Sequence, residues 1–313
     1  MTHISKTAQH SGNNIPLVFF GTEDFSALFL RALIEHGYEI KAVVTKPDSP
    51  KGRRQQLLPP QVKRIAKEHS IPVFQPQLLS ELEAPLKQLG PATGVLVSYG
   101  KIIPQKIIDL FTPGIVNVHP SLLPAYRGPS PIEASIINGD TKTGVSIMQL
   151  SEKMDAGPVY SQATILLNGR ETQASLYDSL AKLGIKELLN TLPRIISKQL
   201  EPAQQDETKA TYTKLLTKAD GVLDWQKPAL HLEREVRGYN MWPRSRTRLL
   251  DHDVIVTKAH VESGAKGEPG TLDTDNESFI TVNTSEARLR IDNLQPAGKK
   301  EMPIQAFLRG YSK

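Results

Sequence analysis

Short apolar runs alternate with apolar positions at helical spacing through the first two thirds of the chain, and this alternation predicts the architecture. Leu17–Phe20 reads as a strand, after which Phe25, Leu28, Phe29, Ala32 and Leu33 recur on one helical face until Gly37. Ile40–Thr45 is the next strand. A strand, a helix and a second strand at this separation make a parallel crossover unit. Val62, Ile65 and Ala66 open another helix before Val73-Phe74, and the runs Gly94–Ser98, Gly114–Val118, Val145–Leu150 and Val159–Leu167 continue the series. The fold class expected is α/β: an open, mostly parallel, Rossmann-like sheet with helices on both faces.

The pattern changes further along. Leu176, Leu180, Leu183, Leu188 and Leu189 mark a helix over residues 175–199, with Pro193 expected to break or bend it. Residues 201–209 are polar and poor in apolar positions, which sets the expected organisation. A disordered extension occupies 1–14, an α/β domain 15–202, a linker 203–209 and a second domain 210–313. In the second domain a helical piece at 230–239 precedes short alternating runs at Val254–Val256, Phe279–Val282 and Arg288–Ile291, the pattern of a small β-barrel. Trp225 and Trp242 are expected to be buried in that barrel rather than to stack on bases.

Composition narrows the class. At 313 residues the chain has room for two domains with sizeable cores. Cysteine is absent, which excludes disulfides and thiolate metal sites and fits a reducing compartment. No run approaches the roughly 18 apolar residues that span a bilayer. Residues 1–14 have neither the apolar centre of a secretory signal nor the arginines of a transit peptide, so the expected location is the cytoplasm. The formal net charge is +5, and between 46 and 64 the bases Lys46, Lys51, Arg53, Arg54, Lys63 and Arg64 outnumber the single acid Asp48 by the same margin. Most of them fall in a connection over 45–60, punctuated by Pro47, Pro50, Gly52, Pro59 and Pro60, that follows neither a helical nor an alternating pattern. A loop so long inside a compact domain is functional or mobile, and its bases suit an anionic partner such as nucleic acid.

The candidate chemistry lies at a strand end. Asn117 and His119 close the apolar run 114–118 just before Pro120, and the period of a strand puts both on one face. A carboxamide donor beside an imidazole suits a reaction in which an oxyanion develops while a proton moves. Asp155, in the turn after the run 145–150, adds a carboxylate expected to exit an adjacent strand end. A nicotinamide or flavin enzyme, the obvious rival for such a sheet, is disfavoured because the first strand-to-helix turn, Gly21-Thr22-Glu23-Asp24-Phe25, has one glycine and no G-x-G-x-x-G. There is no P-loop either.

Asn117-x-His119, the run Ser121-Leu122-Leu123-Pro124-x-Tyr126-Arg127-Gly128 and Asp155 in Met154-Asp155-Ala156-Gly157 resemble the signature of the folate-dependent formyltransferases. Phe20-Gly21-Thr22, Ser98-Tyr99-Gly100-Lys101-Ile102-Ile103-Pro104 and Leu294-Gln295-Pro296-Ala297-Gly298-Lys299-Lys300 extend the likeness over almost the whole chain, toward the members that act on aminoacylated tRNA. One departure is Pro129-Ser130-Pro131-Ile132-Glu133, where the pattern has smaller residues and an amide.

The resemblance implies 10-formyltetrahydrofolate as formyl-donor cosubstrate, initiator methionyl-tRNA as acceptor and no metal. It implies that Asn117 holds the oxyanion, that His119 stabilises the same charge or relays protons, and that Asp155 orients the imidazole and accepts a proton. Ser121, Leu122, Leu123 and Pro124, with the turn 154–158, would wall the folate cleft and offer main-chain groups to the pterin. The second domain would be an OB-like barrel, and the loop carrying Lys51, Arg53 and Arg54 would grip the acceptor end, Arg53 foremost. Arg288 and Arg290 alternate with Leu289 and Ile291 and so share the outer face of a strand, where they serve either as an RNA track or as its wet side; Lys299 and Lys300 sit in a turn within reach of phosphate. The expected protein is a monomer with tRNA and folate, but neither DNA nor membrane, as partners.

Three rivals remain in view. A formyltransferase of a small amine, such as a purine precursor or amino sugar, shares the three residues but needs no basic loop. A formyltetrahydrofolate hydrolase uses the same site with water as acceptor. An RNA-binding module without catalysis leaves the convergence of Asn117, His119 and Asp155 unexplained.

Overall fold

The structure, a computed structural model, describes residues 15–51, 56–264, 267–273 and 279–311. They fall into two compact units: one takes the described residues up to Arg127 with Gly144–Ala163 and Leu180–Ala210, the other Gly128–Thr143, Thr164–Ser179 and the residues from Thr211 on.

Strands β1 (Leu17–Gly21), β2 (Ile40–Val44), β5 (Val73–Phe74), β6 (Thr93–Val97), β7 (Ile115–His119), β8 (Lys142–Gln149) and β9 (Val159–Leu166) form a seven-stranded sheet ordered β5-β2-β1-β6-β7-β8-β9. Its first five strands pair in parallel, and β8 runs antiparallel to β7 with His119 opposite Ser146 and Asn117 opposite Met148. The order turns back at β1, which has β2 on one side and β6 on the other, the arrangement that opens a crevice at the carboxyl ends of parallel strands. Every residue of β1, β6 and β7 is buried. Such continuous apolar runs mark strands covered on both faces.

Helices cover the faces by the positions their spacing indicates. Helix α1 (Asp24–Glu35) buries Phe25, Phe29, Ala32 and Leu33, while Leu28, on the same predicted face, stays 40% exposed at its margin. Helix α2 (Gln61–Glu68) buries Val62, Ile65 and Ala66. Phe20 sits between Tyr99 and Phe111 in edge-on contacts of 5.8 and 5.6 Å, inside a cluster that includes Val18, Val44, Leu96 and Ile115. Each such fully buried side chain stabilises the fold by about 1.5–3 kcal/mol. The long helix over Gln173–Ile196 packs against α1 and β8 at Gly184, where a Cβ would press on the Phe29 ring and Val145.

Several expectations need correction. The connection 45–60 is not structureless: β3 (Ser49–Lys51) and β4 (Gln56–Leu58) pair antiparallel as a hairpin, Ser49 opposite Leu58. Pro50 and the flanking polar residues hide the period-2 signal that would have revealed it. The helix expected at 175–199 begins at Gln173 and passes through Pro193 without breaking there. It ends three residues later, and the proline leaves the ladder only one bond short within the last turn.

In the second unit β10 (Ser245–Leu249), β11 (His252–Glu262), β14 (Arg288–Pro296), β13 (Ile280–Asn283) and β12 (Leu272–Asp273) form an antiparallel sheet in that order, with β15 (Met302–Pro303) on β14. This half-barrel agrees with the OB-like expectation. Leu289 and Ile291 of β14 pack with Leu232 and Val236 of the helix Ala229–Gly238 and with Ile304 and Phe307 of the last helix, Ile304–Tyr311. Trp225 is half-buried against that core as expected, but Trp242 is 50% exposed, its indole Nε1 donating to the Leu216 carbonyl at 3.3 Å. No helix among the described residues is long and apolar enough to cross a membrane.

Candidate active site

Asn117 and His119 end β7 on one face, each 5% exposed. His119 Nε2 lies 2.9 Å from the Tyr126 carbonyl oxygen. A carbonyl only accepts, so Nε2 carries a hydrogen and donates it, which fixes the ring and leaves Nδ1 as the nitrogen that faces the site. Nδ1 is 3.7 Å from Asp155 Oδ2, and Asn117 Nδ2 is 3.5 Å from Asp155 Oδ1. The carboxylate thus stands over both neighbours at distances too long for strong direct hydrogen bonds. The three groups present an amide donor, an imidazole nitrogen and a charged acceptor toward one point. That set can stabilise an oxyanion and move a proton.

The structure brings the three predicted residues together by an unexpected route. Because β8 is antiparallel, its carboxyl end lies beside the start of β7: the Leu150 N–H donates to the Ile115 carbonyl at 2.7 Å. The turn carrying Asp155 therefore leaves the adjacent strand at the end opposite to His119, not at the shared end the sequence suggested. The turn after β8 returns over the sheet face that carries Asn117 and His119, with Gly157 packed on Met148, the residue opposite Asn117. A Cβ at Gly157 would overlap the Gln149 carbonyl oxygen, so only glycine lets the turn lie this close. Asp155 itself is left-handed, φ +48°, and so is Tyr126, φ +59°. The Tyr126 carbonyl holds the imidazole at Nε2, while Asp155, expected to orient the ring, stands 3.7 Å from Nδ1.

The loop over 121–124 is internally satisfied. Ser146 Oγ donates to the Ser121 carbonyl at 2.7 Å and accepts from the Leu123 N–H at 3.0 Å, and Gln162 Nε2 donates to the Leu123 carbonyl at 2.8 Å. Ser121 and Leu123 are buried, while Leu122 and Pro124 are partly exposed. The main-chain groups of Ser121 and Leu123 that the resemblance offers to a pterin are thus already engaged; Ser146 and Gln162 hold the loop's shape. Ser146, directly across from His119, is a polar residue inside an apolar run, the one signal in the sequence that marks it. Met154, in the turn after β8, is half-exposed.

Two comparisons decide the family. Residues 14–192 match the formyl transferase family and residues 215–312 the formyl transferase C-terminal domain. The chain is 40% identical over 300 residues to a methionyl-tRNA formyltransferase of Geobacillus sp. (strain WCH70), covering 95% of this chain and 94% of that one. The chain belongs to the formyl transferase family. The methionyl-tRNA formyltransferase of Bacillus subtilis (strain 168) is also 40% identical, over 94% of each chain. Among solved structures, HypX from Aquifex aeolicus in complex with tetrahydrofolic acid superposes with TM-score 0.65 at 18% identity, over 96% of this chain and 48% of HypX, so the chain spans about half that protein's length. WlaRD, a sugar 3N-formyl transferase solved with dTDP and 5-N-formyl-THF, superposes with TM-score 0.66 at 16% identity over 92% of this chain and all of WlaRD. At these identities the likeness is one of fold.

The basic residues divide. Arg53 and Arg54, and the side chain of Lys51, lie outside the described residues. The base of their hairpin is braced by Lys63, whose ammonium meets both Asp48 oxygens at 2.8 Å, and by Gln75, which donates to Asp48 and to the Lys46 carbonyl. These donors hold the Asp48 carboxyl below its usual range, hydrogen bonding from Lys63 first. Arg288 and Arg290 do share the outer face of β14, but they meet acids there. Arg288 pairs with Asp273 at 2.8 Å and Glu262 at 3.4 Å; Arg290 pairs with Glu262 at 3.3 Å and stacks 4.2 Å over the Phe279 ring. A phosphate on this face would have to compete with those carboxylates. Lys299 and Lys300 are exposed in the turn after β14. Among the described residues no cluster of His, Asp and Glu has metal-site geometry.

Proposed function

We propose that this chain transfers the formyl group of 10-formyltetrahydrofolate to the α-amino group of methionine esterified to initiator tRNA, giving N-formylmethionyl-tRNA for translation initiation. The observation that carries the reading is identity of 40%, over about 95% of the chain, with proteins named methionyl-tRNA formyltransferase. The convergence of Asn117, His119 and Asp155 supplies the chemistry. Folate-bound neighbours of the same fold support the donor class. The reading places the protein in the cytoplasm, acting as a monomer.

The donor supplies an activated formyl group on a nitrogen able to leave. The chain's task is to hold it, stabilise the oxygen that gains charge, and accept the proton the incoming amine must lose. Asn117 Nδ2 is the buried amide donor aimed at that oxygen, a contribution worth about 10²–10³ in turnover. His119, locked through Nε2, presents Nδ1 to the same point. Asp155 accepts the proton, through a water where the gap to the imidazole is 3.7 Å. The carbon–nitrogen bond to the amine forms as the bond to the donor's N10 breaks, and one proton leaves the amine as one reaches N10. A nitrogen-to-nitrogen acyl transfer of this kind asks for no metal and no covalent enzyme intermediate.

Leu122, Pro124 and half-exposed Met154 give the donor's flat ring apolar walls. With Leu123 and Ser121 engaged internally, polar recognition of the ring falls to other groups of the crevice. The connection 45–60 with Arg53, Arg54 and Lys51 reads as the tRNA contact, with Lys299 and Lys300 as phosphate partners. The test is an acceptor panel: initiator methionyl-tRNA, free methionine, a nucleotide-linked amino sugar, a small glycinamide-type amine, and water alone, each with 10-formyltetrahydrofolate. Efficient tetrahydrofolate release with methionyl-tRNA only is the expected outcome. Equal release with a small amine or with water assigns the chain to another branch.

A further inference from the structure

The segment after the long helix, which reads in the sequence as a spacer, is fastened to the site. Ala203 exchanges both main-chain hydrogen bonds with Val159 at 2.8 Å. Two residues on, one side chain uses all of its hydrogen-bonding capacity. Gln205 Nε2 donates to the Asp155 carbonyl at 2.8 Å and to the Gly157 carbonyl at 2.7 Å, and its Oε1 accepts from Arg127 Nε at 3.1 Å and Nη2 at 2.9 Å. A carboxamide offers two hydrogens and two lone pairs, so none is left over.

Arg127 itself is fully buried, and its outer edge is held by Glu207, Nη1 at 3.0 Å and Nη2 at 2.7 Å. The guanidinium in turn draws the Glu207 carboxyl below its ordinary value. The fork geometry of this pair fixes the guanidinium in direction as well as place. Arg127 directly follows Tyr126, the residue whose carbonyl holds His119 Nε2. On its other side Gln205 grips the main-chain carbonyls of Asp155, whose backbone is left-handed, and of Gly157, two residues on in the same turn. Gln205 therefore links the backbone that sets Asp155 to the backbone that sets His119 through side-chain hydrogen bonds that run outside the sheet.

We propose that Gln205, acting with Arg127, is a positioning residue that sets the separation of Asp155 from His119. The segment 203–207 braces the active site and is not a passive connection. The proposal rests on the functional reading above for its activity assay. The physical reason is that β7 and β8 alone do not fix Asp155: its turn crosses the sheet face, and its main-chain carbonyls at 155 and 157 take their orientation from Gln205. A misplacement near 1 Å at a reacting group costs about 10² in rate.

The experiment is a double-mutant cycle on purified full-length protein. Gln205→Ala should lower kcat by about 10² with KM for donor and for tRNA each changed less than about threefold. It should cost little further in an Asp155→Asn background, because both changes act through one carboxylate. Gln205→Glu keeps the acceptors for Arg127 but loses both donors to the turn, and should be as impaired as Gln205→Ala. Thermal melts identify any variant that fails to fold. For such a variant, Gln205→Asn, which keeps the amide, takes its place, with partial recovery of kcat expected. Independent of any substrate, the His119 imidazole ¹⁵N resonances should move in Gln205→Ala, since its neighbour moves. Full kcat in Gln205→Glu, additive losses in the cycle, or a raised KM for tRNA at unchanged kcat would overturn the proposal, as would unmoved His119 resonances. If the wild type formylates no tRNA, the functional reading fails while the resonance measurement still decides the brace.

Discussion

Replacing Asp155 by asparagine separates its charge from its shape. Asp155 holds a left-handed backbone, φ +48°, which asparagine adopts readily and alanine adopts at a cost of about 1–2 kcal/mol. Its oxygens stand 3.5 Å from Asn117 Nδ2 and 3.7 Å from His119 Nδ1, and an asparagine of the same outline keeps both neighbours without the negative charge. Losing a positioned proton acceptor lowers turnover by about 10²–10⁴, or about 3–5 kcal/mol of barrier. Asp155→Asn should therefore melt within about 1 °C of wild type and Asp155→Ala about 2–8 °C lower. Both should turn over at about a hundredth of the wild-type rate or less. The assay is single-turnover formyl transfer at saturating donor and charged tRNA, beside calorimetry of the same samples. An Asp155→Asn rate above about a tenth of wild type refutes the proton-acceptor role. An Asp155→Ala melt equal to that of Asp155→Asn refutes the backbone argument.

Asn117→Ala should leave donor binding near normal and lower kcat by about 10²–10³; a rate within a few-fold of wild type in rapid-quench transfer removes the oxyanion role. Glu133 is partly exposed by surface yet enclosed by protein on most sides, and burial raises its carboxyl above the usual value against the donation it receives from Gln173 Nε2 at 2.6 Å. A raised folded-state pKa stabilises fully below the ordinary glutamate range and is lost as pH rises, so Glu133→Gln should gain in melting temperature relative to wild type from pH 4 to pH 8. A difference that stays flat across that range contradicts it. Arg53→Ala should weaken tRNA use without touching donor KM. Transfer to initiator and elongator methionyl-tRNA at several salt concentrations should show either a log–log salt slope shallower by about one or relaxed discrimination; no change in either removes the residue from recognition.

The apolar runs made most of the sheet legible, because β1, β2, β6 and β7 are almost wholly buried and mostly apolar, interrupted chiefly by Lys41 in β2 and by Asn117 and His119 at the end of β7. Strand direction was not legible. The run in β8 looks the same read either way, so the sequence did not show that the turn carrying Asp155 starts at the opposite end of the sheet from His119. The hairpin at 49–58 was hidden by Pro50 and polar positions, and two-residue strands such as β12 and β15 carry no period at all. Glu133 was legible as a departure, and its carboxyl accepts from the Gln173 amide at 2.6 Å. Arg288 and Arg290 show the limit of counting charge: their acids, Glu262 and Asp273, lie 15 to 28 residues away in sequence and only folding brings them together. The same holds for Gln205, 50 residues from Asp155 and 78 from Arg127. Nothing local distinguishes it from its polar neighbours.

The most direct test follows the fate of the formyl carbon. Donor labelled in that carbon is mixed with excess enzyme and initiator methionyl-tRNA for one turnover, and the tRNA ester is then cleaved by mild base. The label should appear in N-formylmethionine in the wild type, and slowly or not at all in Asn117→Ala and Asp155→Asn. Label released as formate, or carried by a small amine added in competition while the methionine stays free, would contradict the account.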